Sequence, residues 1–144
     1  MELNILRADP AGNITVFVLD PVEKAQRADI AEKIMAIPAL KAEQVGYACA
    51  AEDDVDGHME MMGGEFCGNA TRAYGMYIAQ QKGGLSSVRL RVSGCDHVVT
   101  AQVDLKSGTA RAEMPCPRSV KRVTVNGHEG TLVDLTGIAH FVVE

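Results

Sequence analysis

Of the four cysteines, Cys67 stands where a sulfur could do chemistry. It lies in Gly63-Gly64-Glu65-Phe66-Cys67-Gly68-Asn69-Ala70, a glycine-rich loop running into a stretch with helical periodicity. A thiol at a helix N-terminus faces unpaired backbone N–H groups and the positive end of the helix dipole. Both favour thiolate over thiol, and the same N–H groups can hold a carboxylate. Gly68 lets a ligand come close to the main chain. Asn69 can cap the helix or donate to the ligand. The pattern predicts an acid/base thiol beside an anion-binding helix start; a capped helix with an inert thiol is the plain alternative.

The other cysteines, Cys49, Cys95 and Cys116, are widely spaced and form no Cys-x-x-Cys pair. Zinc sites want ligands paired at short spacing, and no histidine stands in such a pair with a cysteine, so no metal site is expected. Reduced thiols in a reducing compartment fit this usage. Cys49, in Val45-Gly46-Tyr47-Ala48-Cys49-Ala50, reads as a small buried hydrophobe. The acidic run Glu52-Asp53-Asp54-Val55-Asp56-Gly57 has a glycine at the sixth place of a calcium loop. The twelfth place is Gly63, where a bidentate glutamate is required, so a solvated turn is expected.

A chain of 144 residues with 47% hydrophobic content can build a real core, and with 4% aromatics aliphatic side chains must fill it. The net charge of -5 argues against a nucleic-acid partner. No stretch approaches the ~20 apolar residues of a membrane span. The N-terminus lacks the regions of a signal peptide, so a cytoplasmic protein is expected.

The elements that must position Cys67 follow from periodicity and turn residues. Leu3 to Leu6 and Ile14 to Leu19 read as strands around the turn Asp9-Pro10-Ala11-Gly12-Asn13. A helix after Pro21 buries Ile30, Ala31, Ile34 and Met35 while Arg27 and its charged neighbours face water, and Pro38 ends it. Strands are expected at Gln44 to Ala50 and His58 to Met62. The helix after Cys67 runs to about Lys82, with Gly83-Gly84 as its stop. A meander covers Val88 to Met114, with Arg89 and Arg91 on a solvated face, and Pro115-Cys116-Pro117 breaks it. Val120 to Val125, Asn126-Gly127 and Thr131 to Leu135 open a new hairpin. Ala139 to Val143 then form a strand on which the chain looks unfinished at Glu144.

The segment Cys67-Gly68-Asn69-Ala70-Thr71-Arg72 resembles the Cys-Gly-Asn-Gly-Ala-Arg signature of the diaminopimelate epimerase family, the cofactor-independent amino-acid racemases. It departs at Ala70 and Thr71. Gly12-Asn13 is similar to the family's substrate-contacting turn, and Gln44 falls where the family has a substrate-facing glutamine. Thr136-Gly137-Ile138-Ala139-His140 is similar to its Gly-Asn-Pro-His segment, keeping the glycine and the histidine. The apolar loop Met61-Met62-Gly63-Gly64-Glu65 is closer to relatives that racemise other amino acids, including histidine racemases, than to diaminopimelate epimerases.

The resemblance implies an α+β fold with an antiparallel sheet or barrel wrapped around a central helix. One such domain would occupy residues 1–117, and residues 118–144 would open a second, truncated one. It implies a racemase or epimerase that needs no pyridoxal phosphate or other cofactor. Cys67 would be one of two opposed acid/base thiols, with Asn13, Gln44, Gly68, Asn69 and Ala70 contacting an amino-acid substrate. None of the other cysteines begins a helix, so the second thiol is expected from a missing C-terminal half or a second chain; a homodimer is a separate expectation. Three other readings stay open: a phenazine-biosynthesis-type isomerase of the same fold using a carboxylate such as Glu65, a non-catalytic binding or assembly module, and a thiol redox sensor.

Overall fold

The computed structural model describes residues 2–143; Met1 and Glu144, and with them the expected break at the chain end, lie outside it. A seven-stranded sheet takes its strands in chain order: β1 (Ile5–Ala8), β2 (Thr15–Val18), β3 (Gln44–Cys49), β4 (Gly57–Met61), β5 (Ser87–Val92), β6 (Val99–Asp104) and β7 (Thr109–Ala112). The sheet expected to be antiparallel is mixed, because β2–β3 and β4–β5 pair in parallel. Parallel neighbours need a crossover. Here α1 (Lys24–Met35) makes the first and α2 (Gly68–Gln81) the second.

The two helices bury themselves on different cores. α2 packs against β4, β5, β6 and β7, so the sheet curls around it as a half-barrel. Tyr74, Ile78 and Ala79 on α2 join Phe17, Met59, Leu90 and Val99 from the strands. Close approach needs a small residue on the helix: a Cβ at Gly75 would stand 2.7 Å from the Ala101 methyl. At the far end Gly83 and Gly84 take φ of 78° and 91°, the left-handed stop expected of them. α1 covers the other cluster, where Ile30, Ala31 and Ile34 meet Val16, Val18, Val45 and Tyr47. Met35 falls outside that stripe and is exposed.

Arg27 corrects the sequence reading of α1, because its side chain is only 15% exposed. It lies over the Tyr47 ring, donates to Val22 O at 3.3 Å and pairs with Glu60. It also donates to Cys49 Sγ at 3.4 Å, so Cys49 is half-buried and hydrogen-bonded rather than an inert apolar thiol. Burial alone would push the Glu60 carboxyl up, but the Arg27 guanidinium outweighs it and holds the group below its ordinary 4.5. A depressed carboxyl contributes stability above that ordinary value, lost as the pH falls through the folded-state value. Urea midpoints should therefore hold from pH 7 down toward 4.5 and fall below it in the native chain, and Arg27→Met should flatten that fall. An unchanged slope in the variant would rule the pair out as a source of acid sensitivity.

The acidic loop is likewise tied down. Glu52 and Asp54 pair with Arg91 at 3.2 and 3.6 Å, and Asp56 accepts the Arg89 backbone N–H at 2.8 Å. A second, three-stranded antiparallel sheet contains β8 (Ser119–Val125), β9 (His128–Leu135) and β10 (Ile138–Val142). Asn126 and Gly127 turn β8 into β9 at φ of 50° and 80°, the geometry that Asn-Gly hairpins favour. No helix among the described residues is long and apolar enough to cross a membrane.

Candidate active site

Cys67 is the N-cap of α2, with φ -128° and ψ 109°, and its Sγ accepts the Ala70 N–H at 3.4 Å. The Thr71 backbone N–H and hydroxyl both donate to the Cys67 carbonyl, at 2.9 and 2.8 Å. The helix start is thus closed from both sides. The loop leading to it is held just as firmly. Gly64 turns at φ 74°, Phe66 is buried, and the Ser93 hydroxyl donates to Glu65 O at 2.7 Å while accepting Met61 N–H at 2.8 Å.

A second donor reaches the sulfur from the sheet. Gln44, first residue of β3, sends Nε2 to Cys67 Sγ at 3.2 Å and to Thr15 Oγ1 at 2.7 Å. A thiolate accepts such bonds more strongly than a thiol does. Asn69, the second residue of α2, receives Arg72 Nη2 on its Oδ1. That contact commits the oxygen of the Asn69 amide and leaves Nδ2 as its donor end.

These residues line one open cavity of about 680 Å³. Asn13, Gln44, Cys67, Gly68 and Asn69 all face it, together with Arg72 and Glu65. Ala70 does not: its side chain is fully buried, and its backbone serves the sulfur instead. Arg111, Met114, Leu135, Ile138 and His140 complete the wall, and the last three come from the small sheet. The β9–β10 turn reaches the site directly, since a Cβ at Gly137 would stand 3.0 Å from Glu65 Cα. Thr15 and Arg111 carried no sequence signal. Arg72 and His140 did, because both lie in the motif segments.

Among the described residues, two groups of potential metal donors lie outside this cavity. Cys49, on β3, stands opposite His58, on β4, with Glu60 nearby, a pairing that sequence spacing does not reveal. Arg27 already contacts both Cys49 Sγ and Glu60, placing a fixed positive charge where a cation would sit. Burial pushes the Cys49 thiol up, against the pull of Arg27. The second group, Cys95, Asp96 and His97, is a short run in a turn, with Cys95 Sγ 3.5 Å from His97 Nδ1.

Comparison with known proteins agrees with the geometry. A family model described as "Histidine racemase CntK N-terminal domain" matches residues 2–144. A histidine racemase of Fusobacterium nucleatum subsp. nucleatum is 33% identical over 151 aligned residues, covering 97% of this chain and 54% of the relative. A histidine racemase of Staphylococcus aureus is 32% identical over 122 residues, covering 82% of this chain and 44% of that protein. The chain therefore spans about half the length of the curated relatives it matches. With the half-barrel around α2 and this coverage, the chain belongs to the histidine racemase N-terminal-domain family, within the diaminopimelate-epimerase-like fold.

Proposed function

We propose that this chain is the N-terminal half of a cofactor-independent amino-acid racemase, with histidine as the substrate suggested by its relatives' names. The observation that carries the reading is Cys67 Sγ, held by two N–H donors on the wall of a cavity it shares with Asn13, Gln44 and Asn69. Helix geometry leaves the N–H groups of Gly68 and Asn69 without intrahelical acceptors. They would hold the substrate carboxylate, and Arg72 adds positive charge on the same wall. Negative charge moving onto that carboxylate as the α-proton leaves is then met by fixed dipoles.

Cys67 would take the α-proton on one face in one direction of the reaction and return a proton there in the reverse direction. The opposed acid/base group would come from the part of the protein absent from this chain, with residues 118–144 opening the second domain. Homodimer formation is a separate expectation that this reading does not require. The carboxylate-based isomerase reading is weaker, because Glu65 folds back on its own loop: a Cβ at Gly63 would stand 2.5 Å from its Oε2.

The test is solvent isotope incorporation by the complete protein. With L-histidine in deuterium oxide, the D-histidine formed should carry deuterium at the α-carbon from the first turnover, as followed by NMR and chiral chromatography. The 144-residue chain alone should give no inversion. Inversion with retention of the original α-proton, or no exchange with any amino acid, would sink the proposal.

A further inference from the structure

Thr15 is fully buried, as are Thr71 and Tyr47, whose hydroxyl donates to Arg27 O at 2.5 Å. The Thr71 hydroxyl is accounted for by its bond to the Cys67 carbonyl. Thr15 sits on β2 directly across the parallel pairing from Gln44 on β3. Its hydroxyl donates to Asn13 O at 3.3 Å and accepts Gln44 Nε2 at 2.7 Å. A hydroxyl has one proton. With that proton on the Asn13 carbonyl, Thr15 Oγ1 faces Gln44 as an acceptor only.

This matters because the two ends of a glutamine amide have nearly the same shape, and its partners decide which end points where. An acceptor at 2.7 Å selects the nitrogen end. The second Nε2 hydrogen then falls on Cys67 Sγ at 3.2 Å. In the reversed amide Oε1 would face the sulfur, where it could accept an S–H but would repel a thiolate.

We propose that Thr15 is a positioning residue that fixes the Gln44 amide, so that an N–H faces Cys67 Sγ and Oε1 is kept for a donor group of a ligand. An ammonium group has that chemistry. The catalytic meaning of the proposal rests on the reading of Cys67 as an acid/base thiol, but its structural content does not. Gln44 and Cys67 touch each other on the cavity wall, while Thr15 acts through Gln44 from the interior.

The experiment follows iodoacetamide alkylation of the full-length protein at about pH 7, peptide by peptide by mass spectrometry, because only the thiolate attacks. Thr15→Val keeps the shape and removes the acceptor; it should slow alkylation of Cys67 roughly five-fold. Thr15→Ser should restore the native rate. Gln44→Glu, which puts an oxygen where the N–H stood, should slow Cys67 as Thr15→Val does. In a Gln44→Ala background, Thr15→Val should have no further effect, which a general loosening of the core would not reproduce. Cys49, at the opposite end of β3 from Gln44, serves as the internal reference. An unchanged Cys67 rate in Thr15→Val, or a slowing that persists undiminished without Gln44, overturns the proposal. If the cycle behaves as expected while Cys67→Ser racemises at the native rate, the Thr15 assignment stands and the acid/base reading falls.

Discussion

In the full-length protein, Cys67→Ser is expected to lower α-proton exchange and racemisation by roughly 10²- to 10⁴-fold, the usual worth of a positioned acid or base. The substitution is nearly isosteric, and the Gln44 and Ala70 donors would still find an oxygen where the sulfur was. What disappears is the thiol itself, the group the proposed reaction uses as acid and base. The Gly68 and Asn69 N–H groups proposed to hold the carboxylate are untouched, so the loss should appear in kcat far more than in KM. A variant that lost affinity but kept its turnover would assign Cys67 to binding. One that kept both would remove it from the mechanism.

The second large effect is expected at Gly94→Ala, behind the loop that leads to Cys67. Gly94 has φ 70°, where a side chain is strained. A Cβ there would also stand 2.7 Å from Glu65 C and 2.9 Å from Phe66 Cα, both main-chain atoms of the loop that delivers Cys67. Flexible side chains can move aside, but this loop is pinned by Ser93 and by buried Phe66. Strain and overlap together should cost about 3 kcal/mol of stability. Gly127→Ala is the control, since its φ is 80° but nothing lies within 4 Å of its Cβ. It should cost only the strain, about 1 kcal/mol. Equal urea-unfolding losses in the two variants would show that the contact with the loop is not what Gly94 provides.

The parts of the structure that local residue chemistry dictates could be read from the sequence. Asn126-Gly127, the left-handed Gly83-Gly84 stop and Gly12 in the first turn all behave as their residue types require, whereas Ala11 takes φ 59° against its type. Cys67 at the head of α2 was legible for the same reason, since a glycine-rich loop before a helical stripe is a local pattern. What depended on register was hidden. Thr15 carries no motif, and its role exists only because parallel pairing sets it across from Gln44. Arg27 reads as a water-facing charge on α1 until Tyr47 and Glu60 from two strands supply a ring and a carboxylate. Ala70 was assigned to the ligand by its place in a motif, whereas the helix turns its methyl into the core. His140 lay in a recognised segment, but only the fold of the small sheet brings it to the cavity.

The residue that begins α2 is an unusual choice for that position. Helices prefer to start on serine, threonine, aspartate or asparagine, whose oxygens take a backbone N–H at short range. Cys67 does the same task with a sulfur 3.4 Å away, a longer and softer contact. The serine variant with the least activity should consequently melt no lower than the native protein. At this one site durability and the proposed chemistry favour different atoms, and the cysteine sides with the chemistry.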